Sequence, residues 1–135
     1  MSKIKLTITG CMGKMGKQLT KSSKKDKSFQ IVSLTESRLL KKKIGNVIPQ
    51  INSTESLKNS DVIIDFTIPK CTLEVLKLAS KLNKRLVIGT TGFTKKQDLL
   101  IKNFSKKIPI LKAGNMSLGV NLLMYLTEIA SKSLN

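Results

Sequence analysis

The hydrophobic pattern alternates between two kinds of segment along most of the chain. Short apolar runs with the length of strands are followed by stretches in which apolar residues recur at helical spacing. The strands are predicted at 4–9, 29–35, 61–66, 85–89 and 108–112, and the helices at 14–24, 54–59, 71–82, 94–104 and 118–134. This repeated strand–helix–strand order predicts an α/β fold with a parallel sheet that is covered by helices on both faces.

One segment, 37–53, interrupts the alternation. It is polar and basic, and Gly45 and Pro49 fall within it. Glycine and proline break regular structure, so a long loop is predicted between the second strand and the short helix that follows.

Three glycines lie where the first strand passes into the first helix, in the stretch GCMGKMG from Gly10 to Gly16. In nucleotide-binding sheets, Gly10 would allow the tight turn, Gly13 the approach of a pyrophosphate, and Gly16 close helix packing. The N–H groups at the helix start would then face the phosphate charge. Because the spacing is G-x-x-G-x-x-G and not the commoner G-x-G-x-x-G, a simple strand-to-helix turn is the alternative.

A candidate partner for this turn is Glu36, which closes the second strand. Folds of this type place a carboxylate about 20 residues after the glycine turn, where it binds the adenosine ribose. Arg38 lies close enough to meet a 2′-phosphate, so the sequence leaves NADH and NADPH both open. The alternative is an ordinary exposed acid and base at a strand end.

Composition narrows the classes of function. The net charge of +17 suggests nucleic acid, but the lysines are spread along the chain and aromatic residues make up only 4%. We therefore favour a solvated lysine surface and expect no nucleic-acid partner.

No apolar run reaches the roughly 18 residues of a membrane span, and the N-terminus lacks a long apolar signal region, so a cytoplasmic location is expected. The two cysteines do not have metal-ligand spacing, and no metal site is expected.

Taken together, the motifs GCMGKMG, VIIDFTIP, VIGTTGF and GNMSLGVN resemble, in order and spacing, the nucleotide domain of the 4-hydroxy-tetrahydrodipicolinate (dihydrodipicolinate) reductase family. The resemblance covers essentially the whole chain and implies a Rossmann-like, doubly wound sheet. It also implies that NADH or NADPH is bound by Gly10, Cys11, Met12, Gly13, Lys14, Met15, Glu36, Arg38, Gly89, Thr90, Thr91, Ala113, Gly114, Asn115 and Met116. Thr91 is in addition a candidate contact to the substrate.

The family reaction implied by this resemblance belongs to the diaminopimelate route to lysine. A hydride passes from NADH or NADPH to a cyclic dicarboxylate, 4-hydroxy-tetrahydrodipicolinate, which becomes tetrahydrodipicolinate with protonation and loss of water. Three residues depart from the family pattern. Ser37 separates an acid and an arginine that are adjacent in some members, and Lys112 and Gly114 stand where other members carry apolar or small residues.

The family's second domain, an α+β unit that binds substrate, has no counterpart here. That domain carries a His-His pair and a Lys followed by Asp-Ala-Pro-Ser-Gly-Thr, whereas this chain contains no histidine. We therefore expect no catalytic residue in this chain, an NAD(P)-binding domain over 1–117, and a helix at 118–135 that leads toward the missing domain. The family commonly forms a homotetramer through that domain, so this chain alone is expected to be monomeric, to bind dinucleotide weakly and to turn over no substrate.

Two other functions stay open at this point. The chain could be the nucleotide domain of another two-domain NAD(P)-dependent dehydrogenase. It could also be a stand-alone dinucleotide-binding regulatory module that performs no chemistry.

Overall fold

The computed structural model describes residues 2–41 and 43–134. Three residues lie outside this description: Met1, Lys42 and Asn135. Met1 and Lys42 belong to the predicted segment 1–117, and Asn135 belongs to the predicted segment 118–135. The strands are β1 (Ile4–Thr9), β2 (Phe29–Glu36), β3 (Gln50–Ile51), β4 (Val62–Asp65), β5 (Arg85–Ile88) and β6 (Ile110–Lys112). The helices are α1 (Lys14–Lys25), α2 (Thr54–Leu57), α3 (Pro69–Lys81), α4 (Lys95–Phe104) and α5 (Leu118–Leu134).

The strands form one parallel sheet in the order β3-β2-β1-β4-β5-β6. After β1, the chain adds β2 and β3 on one side of it. It then crosses back and adds β4, β5 and β6 on the other side. This is the doubly wound arrangement, and it confirms the predicted Rossmann-like fold. Ligands of such sheets bind beyond the carboxyl ends of the strands, where the direction reverses between β1 and β4.

Hydrophobic clusters cover the two faces of the sheet. Ile8 and Leu34, which are paired in register on β1 and β2, pack with Leu19 of α1 on one face. Ile63 points the opposite way, because its register partner on β1 is Thr7, the neighbour of Ile8. It packs with residues of α2, α3 and α4, including the fully buried Leu76.

Local signals in the sequence explain where the helices begin. Thr94 caps α4, since its hydroxyl accepts the N–H of Gln97 while the Gln97 side chain accepts the N–H of Thr94. This reciprocal pair is the capping box that the sequence predicts. Pro69 occupies the first turn of α3, where a missing N–H costs nothing.

The predicted loop at 37–53 was wrong in one respect. Gln50 and Ile51 form β3, which pairs with Thr35 and Glu36 at the edge of the sheet. Two residues are too few to produce an alternating pattern, so the strand has no clear signal in the sequence. The last strand is also shorter than expected, because β6 begins at Ile110.

The final helix, α5, differs from the others. None of its described residues is buried, although Leu118, Leu122, Leu123, Met124 and Tyr125 are apolar or aromatic and each exposes more than half of its surface. The helix therefore adds no described side chain to the two cores. The boundary predicted at residue 117 stays a prediction.

Candidate dinucleotide-binding site

The glycine turn has the geometry that its sequence suggests. Gly10 has a positive φ of 65°, a conformation that side chains rarely allow. Its carbonyl oxygen accepts the N–H of Gly13 at 3.0 Å and closes the turn. A Cβ atom on Gly16 would overlap this same carbonyl, so α1 approaches the turn closely only because residue 16 has no side chain.

The first turn of α1 has no cap among the described side chains. Gly13 occupies the N-cap position, and the turn that follows contains Lys14 but no acidic residue. Ser53 and Thr94, by contrast, cap α2 and α4 with their hydroxyls. The N–H groups at the start of α1 thus have no side-chain acceptor among the described residues, as in helices that bind phosphate.

Glu36 lies directly beside this turn. One of its carboxylate oxygens accepts the N–H of Met12 at 2.6 Å, and the other accepts the N–H of Ser37 at 3.2 Å. The turn is also tied to β2 through the backbone, because the Cys11 N–H donates to the Thr35 carbonyl at 3.2 Å. The acidic side chain and the glycine turn therefore form one continuous surface at the carboxyl end of the sheet.

Beyond β4 and β5, two loops at the carboxyl end of the sheet contact each other and would border a cofactor cleft there. The ring of Phe66 packs where a Cβ atom on Gly89 would otherwise lie, and the Thr67 N–H donates to the Thr90 hydroxyl at 2.9 Å. Thr90 as a whole residue is only 4% exposed. It therefore presents little surface to a cofactor, whereas Thr91 is exposed.

Lys112 joins the last two loops of the site. Its ammonium donates to Asp98 of α4 at 2.7 Å and lies 5.1 Å from the centre of the Phe93 ring. The following segment is held by its own contacts, since the Asn115 side chain accepts the Ser117 N–H at 2.9 Å. Lys112 thus connects the end of β6 to the Gly89–Phe93 loop.

The structure places the predicted site residues along one edge of the sheet. Contacts link the glycine turn, Glu36 and the loop that contains Thr90. The segment after β6 reaches the same edge, but the hydrogen bonds of Asn115 and Ser117 stay within the segment or go to α5. The exposed members of the set are Met12, Gly13, Lys14, Met15, Arg38, Thr91, Gly114 and Met116; the partly buried ones are Gly10, Glu36, Gly89, Ala113 and Asn115; and Cys11 and Thr90 are buried.

Sequence reasoning missed the side chain that connects three of these segments. Asp65 ends β4, is completely buried and accepts hydrogen bonds from threonine hydroxyls. The signal was an acidic residue at the end of the apolar run Val62-Ile-Ile-Asp65. A carboxylate in such a run is uncommon, because burial of an unpaired charge is costly.

Cys11 offers a test of how tightly the turn is packed. Burial and the nearby charge of Glu36 raise the pKa of this thiol from an ordinary 9.0 to about 11. Near pH 8 the thiolate fraction falls by roughly 100-fold, so we expect iodoacetamide to label folded Cys11 at least that much more slowly than the urea-unfolded chain. Site-resolved mass spectrometry measures both rates.

Cys71 provides the internal comparison in the same experiment. Its pKa is also raised, chiefly by burial, but its side chain is only partly buried, so it should react faster than Cys11. Labelling of folded Cys11 at the unfolded rate would show that the turn is open.

Comparison with known proteins identifies the same domain. Residues 4–116 match the family model described as the N-terminus of dihydrodipicolinate reductase. The chain is 64% identical over 135 residues to the 4-hydroxy-tetrahydrodipicolinate reductase of Pelagibacter ubique (strain HTCC1062), with 100% of this chain and 52% of that protein aligned. It is 38% identical to the enzyme of the same name from Wolbachia pipientis subsp. Culex pipiens (strain wPip), with 98% of this chain and 54% of that protein aligned.

Solved structures also resemble this chain in fold. The dipicolinate-bound dihydrodipicolinate reductase from Paenisporosarcina sp. TG-14 superimposes with a TM-score of 0.75 and 28% identity, over 96% of this chain and 54% of that chain. Homoserine dehydrogenase from S. aureus shares the fold alone, with a TM-score of 0.68 and 13% identity over 83% of this chain and 32% of that chain.

The chain spans about half the length of the curated relatives it matches. In the part of the chain that the structure describes, no helix has the length and hydropathy needed to cross a membrane. Since the family model extends over 4–116 of 135 residues, the chain belongs to the dihydrodipicolinate reductase family, whose N-terminal domain it matches.

Proposed function

We propose that this chain is the dinucleotide-binding half of an NAD(P)H-dependent reductase that converts 4-hydroxy-tetrahydrodipicolinate to tetrahydrodipicolinate in the diaminopimelate route to lysine. The observation that carries the proposal is the juxtaposition of Glu36 with the uncapped start of α1, through the 2.6 Å hydrogen bond from Met12. A ribose-binding acid beside a phosphate-binding helix start is the arrangement that dinucleotides require.

The residues present fit such a cofactor. The backbone at Gly13 is exposed, and the nearest atom to a Cβ built there, outside its chain neighbours, is the Gly10 carbonyl oxygen at 3.2 Å. The space in front of the helix start is therefore open to a phosphate. Lys14 adds a positive charge in the same turn, which favours an anion further.

Each segment of the site has a defined task in this proposal. The α1 N–H groups hold the pyrophosphate, and Glu36 accepts hydroxyl hydrogens of the adenosine ribose. The dinucleotide, when bound, supplies the hydride. The segments 89–91 and 113–116 position and shield the nicotinamide end, and exposed Thr91 is available to the substrate.

Proton donation, and substrate binding apart from a contact with Thr91, are assigned outside these residues. The chain has no histidine, and the apolar side chains of α5 are exposed. We place the substrate domain next to α5, and the purified 135-residue chain should then bind cofactor weakly as a monomer and reduce no substrate. The proposed compartment is the cytoplasm.

The choice between NADH and NADPH depends on Arg38. It is exposed and lies just beyond Glu36, so both a guanidinium and a carboxylate are available beside the proposed ribose position. Acceptance of both cofactors is proposed, because the acid suits a free 2′-hydroxyl and the arginine a 2′-phosphate.

A titration at two salt concentrations tests the proposal. NADH and NADPH fluorescence should change saturably on addition of the chain, and a DNA duplex should show only weak binding that disappears as salt is raised. The chain has no Trp, so protein emission hardly interferes with the signal. Binding to DNA alone, with a steep dependence on salt, would refute the dinucleotide site.

A further inference from the structure

The buried carboxylate of Asp65 is satisfied by hydroxyl groups. Thr9 and Thr67 donate to its Oδ1 atom, the latter at 2.9 Å, and Thr72 and Thr90 donate to its Oδ2 atom, the latter at 3.0 Å. Asp65 is 0% exposed, and within the described residues no lysine or arginine pairs with it. Four donors match the acceptor capacity of a carboxylate, which makes the buried position tolerable.

The four threonines lie on different segments. Thr9 ends β1 and directly precedes Gly10, Thr67 follows β4, and Thr90 lies in the Gly89–Phe93 loop after β5. Thr72 is the exception, since it belongs to α3. Three of the four hydrogen bonds therefore connect Asp65 to segments that border the proposed cofactor cleft, and the fourth connects it to the helix behind.

Thr90 has the most constrained hydroxyl of the set. It donates to Asp65 and accepts the Thr67 N–H at 2.9 Å, so both its donor and one acceptor position are used. The whole residue is 4% exposed, whereas its neighbour Thr91 is exposed. The Thr90 side chain thus points into the protein, and Thr91 is the residue that the loop presents to solvent.

We propose that Asp65 is a positioning residue for cofactor binding, which holds the Gly89–Phe93 loop in place through the Thr90 hydroxyl. Asp65 itself does not touch the dinucleotide. It fixes the distance between this loop and the glycine turn, because the same carboxylate binds Thr9 at the start of the turn and Thr90 in the loop. The inference rests on the proposed function, since it concerns the same cleft.

An aspartate suits this task better than its amide. A carboxylate offers acceptor positions on both oxygens, while asparagine offers one oxygen and presents an NH₂ group to the other two hydroxyls. The hydroxyls on Oδ1 and Oδ2 come from different segments, so loss of either oxygen would release one border of the cleft.

A pair of valine variants separates positioning from general stability. Thr90→Val and Thr72→Val each remove one hydroxyl from Oδ2 and keep the branched shape, but only the first lies in a loop of the cleft. We expect Thr90→Val to weaken NADH binding by about tenfold and to speed amide hydrogen exchange at 89–93. Both variants should lower the urea midpoint of unfolding by similar amounts. Thr72→Val, however, should keep its NADH affinity and its amide exchange at 89–93 within about twofold of wild type.

The conservative variant completes the test. Thr90→Ser keeps the hydroxyl and should recover most of the affinity that Thr90→Val loses. Equal effects of Thr90→Val and Thr72→Val on NADH affinity, or no effect of either on loop exchange, would overturn the inference. A wild-type chain that binds no dinucleotide would instead overturn the proposed function, and loop exchange would then alone decide whether Thr90 holds the loop.

Discussion

Replacement of Gly13 by alanine is expected to reduce the affinity for NADH by about tenfold or more, with little change in the free energy of unfolding. The backbone at Gly13 has φ −65° and ψ 166°, which an alanine adopts without strain. Its Cβ atom would approach only the Gly10 carbonyl oxygen, at 3.2 Å, so the change requires a shift of only a few tenths of an ångström there. The methyl group would instead occupy the approach to the α1 N–H groups, where the phosphate is proposed to bind.

Gly13 is a better probe than its neighbours in the motif. A side chain at Gly10 would require a positive φ, and one at Gly16 would overlap the Gly10 carbonyl. Both changes would damage the fold together with the site. Gly119→Ala in α5 is the matched control and should leave the affinity unchanged, because a Cβ atom there would meet only the Ser117 hydroxyl, at an ordinary contact distance of 4.0 Å.

NADH fluorescence titration and urea unfolding followed by circular dichroism measure the two quantities. If Gly13→Ala binds NADH as wild type does and is equally stable, the glycine motif is a simple turn and the phosphate assignment fails. That outcome would restore the alternative that the sequence alone leaves open.

The fold was predictable because its signals are local and repeated. Each long helix has an amphipathic pattern, and each central strand is an apolar run, so the order of elements follows from short windows of sequence. The capping box at Thr94 fixes one helix start within a residue. β3 escaped prediction because its two residues pair only where Glu36 and Thr35 already lie in place.

The candidate site likewise has one part that the sequence suggests and one part that only the structure shows. Glu36 and the glycine turn have a characteristic separation along the chain, so sequence alone suggests that they meet. The inward direction of Thr90 and the role of Asp65 depend on contacts between residues 25 positions apart. A pattern of hydroxyl residues cannot reveal which hydroxyl faces a buried carboxylate and which faces the cleft.

The hydrogen-bond network around Asp65 lies directly above the larger hydrophobic cluster. Asp65 pairs in register with Ile88 of β5, and Ile88 belongs to that cluster. The carboxyl edge of the sheet is therefore polar and held by hydrogen bonds, while the layer beneath is apolar and held by packing. Substitutions in the two layers should consequently affect binding and stability differently.

Leu76→Ala tests the lower layer and is expected to reduce the free energy of unfolding by about 2–5 kcal/mol. Leu76 lies on α3, is 0% exposed and packs within the larger hydrophobic cluster. Truncation would remove buried methyl groups and leave a cavity between α3 and the sheet. Urea unfolding followed by circular dichroism measures the loss, which is a large share of the roughly 5–15 kcal/mol typical of a domain.

Leu99→Ala is the matched control on the neighbouring helix. Leu99 belongs to α4 and is 62% exposed, so the same truncation should change the free energy of unfolding by no more than about 0.5 kcal/mol. Leu76→Met keeps the volume and should cost less than about 1.5 kcal/mol. Equal losses for Leu76→Ala and Leu99→Ala would contradict the placement of α3 against the sheet. The same helix also carries Thr72, one of the four threonines that donate to Asp65, so the placement of α3 bears on both layers.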